Sequence, residues 1–290
     1  MKLSELYAKI LEFGIDKDPR KNKSSINSYE DTAVLYGQPD KEVRKVFVGI
    51  DIDTGELLLA DKIRSAKGLD LVISHHPHGI AYAGMAGVMR LQVDILKSAG
   101  LDDSLARGLL EERILEVERK ISPANHTRAV DSAALLDMPF MCVHTPADNH
   151  VWSFLTGLFE DAKPGKASDI LDILAALPEY SSASARLAGP KLILGNPSRA
   201  CGKVLVDMTG GTEGHKDVYP GLYKSGIRTI VAMHLGEDHF KKVKEAGMNV
   251  VVAGHIASDT LGLNLLLDRI EKIQKLSVVS GSGFTRYRRI

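Results

Sequence analysis

Cysteine is nearly missing from this 290-residue chain. Cys142 and Cys201 are the only two, too few for a disulfide framework, and both sit in apolar surroundings that suit small buried side chains. Net charge is missing as well: Lys plus Arg and Asp plus Glu number 37 each, so no global field draws the chain onto nucleic acid or an anionic membrane surface. No apolar run approaches the roughly 20 residues of a membrane-spanning helix. The opening stretch MKLSELYAKILEFGI carries Glu5, Lys9 and Glu12 within its apolar spacing, which a signal-peptide core does not tolerate, so the expectation is a cytoplasmic protein. There is no short-period repeat and no low-complexity tract. What is present is an ordinary globular composition, 44% apolar and 26% charged, long enough for two lobes around one cleft.

Leu3, Leu6, Ile10 and Leu11 mark an amphipathic first helix, followed by the polar stretch DKDPRKNKSSINSYED, long enough to predict a mobile loop. KVFVGIDI (45–52) reads as a strand, and the helical spacing of ELLLADKIRSAKG closes at Gly68 before the next apolar run, LVIS. That is a βαβ unit. A helix over 101–120 and the polar break SPANHT precede a third apolar strand, PFMCVH. Residues 152–184 predict one or two helices and a Pro/Gly/Ser/Ala-rich connection between lobes. KLILG, KVLVDM, TIVAMHL and NVVVAGH then repeat the strand rhythm, with helical segments after Gly221 and over 238–246. The expected class is α/β, with mixed or parallel sheets in an N-terminal lobe over 1–155 and a C-terminal lobe over 156–290.

Chemistry concentrates at the strand ends, where open α/β sheets collect ligands. LVISHHP (71–77) stops at His75, His76 and Pro77, and two neutral imidazoles at one corner suit a transition metal if the backbone turns there. Taken alone the pair also reads as polar loop residues closing a strand. PFMCVH runs into HTPAD, so Asp148 follows a strand terminus, as a metal-bridging carboxylate or as a turn aspartate after Pro146. NVVVAGH ends at His255, and Asp259 lies four residues on, on the same face of any helix that starts there. The alternative is that Ser258 caps that helix and Asp259 merely occupies its first turn. The coincidence of His, His, Asp, His and Asp at three strand ends favours a pair of divalent metals.

HHP after an apolar strand, the HTxxD segment His144 to Asp148, and GHxxxD after VVVA together resemble the dinuclear metal site of the Nif3-like family, the NGG1p-interacting factor 3 family. Its members are also known as type 2 homologues of GTP cyclohydrolase I. The resemblance runs from about Val46 through Leu267 and includes the GGTEG turn; residues 151–200 match poorly, and the inserted domain of longer members is absent. It implies metal ligands at His75, His76, Asp148, His255 and Asp259, two divalent ions in the cleft between the lobes, and a homo-oligomer, a homohexamer built as a trimer of dimers. The family usually has glutamate where Asp259 stands, one methylene longer.

Other polar residues remain candidates. His78, His144 and His150 flank the ligand positions, and His144 ranks first among them as a catalytic proton carrier. Gly210, Gly211 and Gly214 with Thr209 and Thr212 offer backbone N–H groups to an anion, although no complete phosphate-loop or dinucleotide fingerprint is present. His234, Glu237, Asp238 and His239 follow TIVAM, where the family often has a Gly-Glu turn facing the cleft; a helix-capping cluster is the alternative. His126 and His215 read as loop residues.

Two functions fit. One is a dinuclear-metal-dependent hydrolase using a metal-bridging water, with a purine nucleotide such as GTP as the substrate the resemblance implies. The other is a metal-binding regulatory or protein-interaction protein without turnover. Zinc, iron and manganese all accept the ligands.

Overall fold

Short runs of β-branched and other apolar residues become strands in the computed structural model, which describes residues 1–289. β1 (Ala33–Tyr36), β2 (Lys45–Gly49), β3 (Leu71–Ser74), β4 (Phe140–Cys142) and β9 (Ser277–Ser280) form one sheet in the order β1-β4-β3-β2-β9. β5 (Lys191–Leu194), β6 (Lys203–Asp207), β7 (Ile227–Ala232) and β8 (Asn249–Val252) form a second, β5-β8-β7-β6. β1 runs antiparallel to β4 and β5 antiparallel to β8, while every other pairing is parallel. Both sheets are therefore mixed, with parallel centres. Their central strands are buried on both faces, which is why VFVG, LVI and FMC read as continuous apolar runs rather than alternating ones.

The expected helices are present: α1 (Leu3–Asp16), α2 (Thr54–Lys67), α5 (Asp103–Ile121), α10 (Tyr219–Lys224) and α11 (Glu237–Glu245). α2 starts on the Asp53–Glu56 capping box and stops at Gly68, whose φ of 71° suits glycine. Three helices of the first half, α3 (Gly79–Val88), α4 (Leu91–Ser98) and α6 (Arg128–Leu135), have no counterpart in the sequence reading. α3, GIAYAGMAGV, offers no polar stripe to contrast with its buried face. Where one or two helices were expected the chain forms three, α7 (Thr145–Ala162), α8 (Ala167–Ala175) and α9 (Pro178–Ser184).

α7 and the last helix, α12 (His255–Glu271), bind the two sheets together. α12 buries Ala257 and Leu261 with Val151, Leu155, Val206, Val231 and Val251 on the second sheet's side. Further along, Leu263, Leu266, Leu267 and Ile270 join Leu6, Val46, Val48 and Leu71 beneath the first. The boundary expected at 155/156 falls inside α7, and β9 returns to pair with β2, so the chain crosses between sheets more than once. Its tail is strapped to α9 and α12: Arg289 donates to both carboxylate oxygens of the buried Glu179 at 2.8 and 2.6 Å, and Arg286 pairs with Asp268 at 2.5 Å.

The polar stretch over 16–31, much of it exposed, is anchored at Asp18, Ile26, Tyr29 and Asp31. Asp18 is buried and accepts from Arg20, from the Tyr29 hydroxyl at 2.8 Å and from Asn149 on α7, and Asp31 is fully buried.

Candidate metal centre

Each strand end expected to carry chemistry delivers its side chains to one cleft between the sheets. His75 and His76 follow β3; Ser74 Oγ donates to the His76 carbonyl at 2.8 Å, which helps turn the chain there. His144 precedes α7 and Asp148 lies in that helix's first turn, after Pro146 has started it. Gly254, at φ 109°, turns the chain after β8 so that His255 begins α12 and Asp259 sits one turn further on. Ser258 does not cap this helix: its hydroxyl donates back to the Gly254 carbonyl at 2.7 Å and meets Tyr180 Oη at 3.0 Å, while Asp259 points inward with no exposed surface.

Ring centroids run His144 to His75 at 4.9 Å, His75 to His76 at 5.3 Å, His76 to His255 at 5.1 Å and His255 to His234 at 4.9 Å. Two carboxylates lie along this row. Asp259 Oδ1 is 3.5 Å from His75 Nε2, and its Oδ2 is 3.5 Å from His76 Nε2 and 3.7 Å from His255 Nε2. Asp148 Oδ1 is 3.4 Å from His75 Nε2 and Oδ2 is 3.8 Å from His144 Nε2. Two close donor groups result, His75–His76–Asp259 and His75–His144–Asp148. His255 lies outside both, at the rim.

Hydrogen bonds on the far side of each ring decide which nitrogen faces the cleft. His75 Nδ1 donates to the Val143 carbonyl at 3.0 Å, His76 Nδ1 to Asp51 at 2.6 Å and His144 Nδ1 to Asp31 at 2.7 Å. In a neutral ring Nε2 is then a lone pair. So lone pairs of His75 and His76 face carboxylate oxygens. His75 Nε2, Asp148 Oδ1 and both oxygens of Asp259 are buried without a hydrogen-bond partner among the described residues, an arrangement that only a cation or a proton relieves. Burial pushes His75 down, but Asp259 and Asp148 outweigh it and raise its pKa well above the ordinary value. For Asp259 burial pushes the pKa up, but His75, His76 and His255 outweigh it and lower the pKa. Burial lowers His255. The donors fit a metal: ligand atoms about 2.1 Å from a tetrahedral ion stand about 3.4 Å apart, close to the spacings here.

The opposite wall comes from the second sheet, with Asp207, Thr209, Thr212, Glu213 and His234 facing the same cavity. Gln92 Nε2 pins the glycine turn from behind, donating to the carbonyls of Gly210 at 2.8 Å and Thr212 at 2.7 Å. Glu213 resists burial through His234 and the Gly236 N–H, which hold its pKa at about 2.

No protein-family model and no curated protein matches the sequence. Solved structures do. A NIF3 superfamily protein from Sphaerobacter thermophilus superposes with a TM-score of 0.78 at 28% identity, covering 95% of this chain and 98% of that one. The chain has the fold of the NIF3 superfamily. Reduced HcgD from Methanocaldococcus jannaschii (TM-score 0.58, 16% identity, 97% of each chain) and a Bacillus cereus protein related to NIF3 (0.50, 12%, 97% of this chain and 96% of that one) share the fold.

Within this Nif3-like cleft the structure brings together His75, His76, His144, Asp148 and Asp259, with His255 beside them. It leaves His78 and His150 outside; His150 Nδ1 donates to the Pro146 carbonyl at 2.7 Å and burial lowers its pKa to about 4. Asp31 and Asp51 were missed. Asp51 ends an apolar strand run, the same signal that singled out His75, whereas nothing local marks Asp31 within its polar stretch.

Proposed function

We propose that this cleft is a dinuclear metal centre at which the protein hydrolyses a small polar substrate, a purine nucleotide such as GTP being the class the family resemblance implies. One observation carries the reading: the fully buried Asp259 carboxylate, unpartnered, confronts imidazole nitrogens from two strand ends and its own helix. His75, His76, Asp148, His255 and Asp259 would hold the ions, and zinc, iron or manganese suits that donor set. When bound, two such ions supply Lewis acidity and lower the pKa of a coordinated water toward neutrality.

The remaining work falls to the chain itself. Asp51 and Asp31 fix the tautomers of His76 and His144, so that Nε2 of each is turned to the cleft. His144 Nε2 is the atom that takes up and returns a proton, the catalytic role assigned to it. Thr209, Thr212 and the backbone of the pinned glycine turn face the substrate from across the cavity.

Protein stripped with a chelator and reloaded with zinc, iron(II) or manganese is expected to take up two ions per chain and to hydrolyse members of a nucleotide, phosphoester and amide panel only when loaded. His144→Gln should lose ~100-fold or more in kcat, and counting its bound ions decides between a proton carrier, which keeps both, and a ligand in the His75–His144–Asp148 group, which loses one. The depth of His75 and Asp259, both without exposed surface, suits a second reading, a metal-stabilised regulatory protein. Two bound ions without turnover across the panel would establish it in place of the hydrolase.

A further inference from the structure

His255 is the weak point of the five-residue donor set. It alone lies outside the two close donor groups, its side chain is 40% exposed, and among the two carboxylates its short approach is to Asp259 Oδ2. An ion at this rim would have one imidazole and one shared carboxylate oxygen from the chain, fewer than the three protein ligands typical of a catalytic zinc site. Asp259 has no spare reach to compensate.

One further imidazole stands beside it, outside the close donor groups. His234, just beyond β7, has its ring centroid 4.9 Å from that of His255 and lines the same cavity as Asp259. Its Nδ1 lies 3.3 Å from Glu213 Oε1. Glu213 is itself anchored: Oε1 accepts from the Gly236 N–H at 2.6 Å, at the start of α11, and its carbonyl accepts from Arg113 Nε at 3.0 Å. A carboxylate on Nδ1 leaves Nε2 as the nitrogen available to a ligand, which is how Asp51 holds His76 and Asp31 holds His144.

We propose that His234 is a sixth protein donor of this centre, binding the outer ion with His255 and Asp259, and that Glu213 is its positioning residue. The proposal rests on the metal-centre reading above and is independent of turnover. Two imidazoles and one carboxylate oxygen favour zinc, cobalt(II) or iron(II) at the rim over magnesium or calcium, which take oxygen donors. An added nitrogen donor also gives the chain a way to hold the outer ion with aspartate where the family usually has the longer glutamate.

Calorimetric titration of zinc into the stripped full-length protein, with cobalt(II) as a visible-absorption probe, tests this. Wild type should show two sites; His234→Ala should weaken one of them by at least ~10-fold and alter the cobalt spectrum, and Glu213→Gln should weaken the same site. His234 is 47% exposed, so the metal-free variant should melt with wild type, and His234→Gln, which keeps the volume, provides a second variant if it does not. Two-site isotherms and cobalt spectra unchanged in both His234 variants overturn the proposal. Wild type that takes up no metal overturns the whole centre and this donor with it. A protein that binds two ions, loses the outer one in His234→Ala and hydrolyses nothing supports the proposal while overturning the hydrolase.

Discussion

Asp259 shows how much one side chain is asked to do. It is fully buried on α12, and its neighbour Ser258 is occupied with Gly254 and Tyr180, so a capping role would leave the carboxylate pointing the wrong way. Asp259→Ala should therefore leave a folded protein that has lost the outer ion in metal titration, because a first-turn charge is worth only about 0.3–1 kcal/mol to the helix. Asp259→Glu should keep or raise affinity for that ion, while the stripped variant loses about 1–3 kcal/mol to overpacking. Equal two-site binding in wild type and Asp259→Ala would remove the residue from the centre. Asp207, on the opposite wall, makes a pH prediction. Burial first, then Glu213, push its carboxyl up to about 6, against His234. A carboxylate raised in the folded state contributes stability that is fully present below its ordinary pKa of 3.8 and is lost as pH rises through about 6. Asp207→Asn should consequently melt above wild type at pH 8, by up to about 2 kcal/mol, and close to it at pH 4. Parallel melting curves at both pH values would show that the carboxylate is not desolvated.

At the scale of elements, the distance between the two carboxylates is set where α7 crosses α12. A Cβ added at Gly262 would lie 2.4 Å from the carbonyl oxygen of Ala147, the residue before Asp148, and that oxygen is backbone with no freedom to swing away. Gly262→Ala should force the helices apart, costing about 1–3 kcal/mol in urea denaturation and weakening metal binding in the same variant. Wild-type metal affinity in a destabilised Gly262→Ala protein would mean that the crossing does not set the site. The elements that form this crossing were only partly legible. α12 follows a strong strand and its start at Gly254-His255 is plain, but α7 begins seven residues before the expected helix, because HTPADNH carries too many polar residues to read as buried. Those residues are buried by tertiary contacts: Asn149 donates to the Gly14 carbonyl, and Thr145 Oγ1 donates to Asp31 at 2.6 Å.

Over the whole molecule, the chain interleaves its two sheets: α7 leads out of the first, and α12 and β9 lead back. No helix among the described residues is long and apolar enough to cross a membrane. Leu135 and Leu187 nevertheless stand 90% and 85% exposed, and Ile80 74%, apolar surface that association would cover. We expect a homo-oligomer, six copies by family resemblance, and sedimentation at micromolar concentration should give the corresponding multiple of the 31.5 kDa chain. A strictly monomeric species would overturn the assembly without touching the metal centre.

Local pattern determined a large share of this protein. Periodicity of two against 3.6 separates strands from helices, continuous apolar runs announce parallel sheet centres, and a histidine or aspartate just beyond such a run marks a candidate ligand, all within a window of a few residues. The short edge strand β1 and the returning strand β9 escaped that window, since AVLY and SVVS owe their structure to partners far along the chain, Met141 and Cys142 for one and Val46 to Val48 for the other. What only tertiary structure decided is the pairing of charge. Asp31 meets His144 across 113 residues, Asp51 meets His76 across 25, and Glu213 Oε1 lies 3.3 Å from His234 Nδ1. Burial raises the cost of an unpaired carboxylate or imidazole steeply, so which of them become partners depends on which helices cross and how closely, and no spacing in the sequence records that distance.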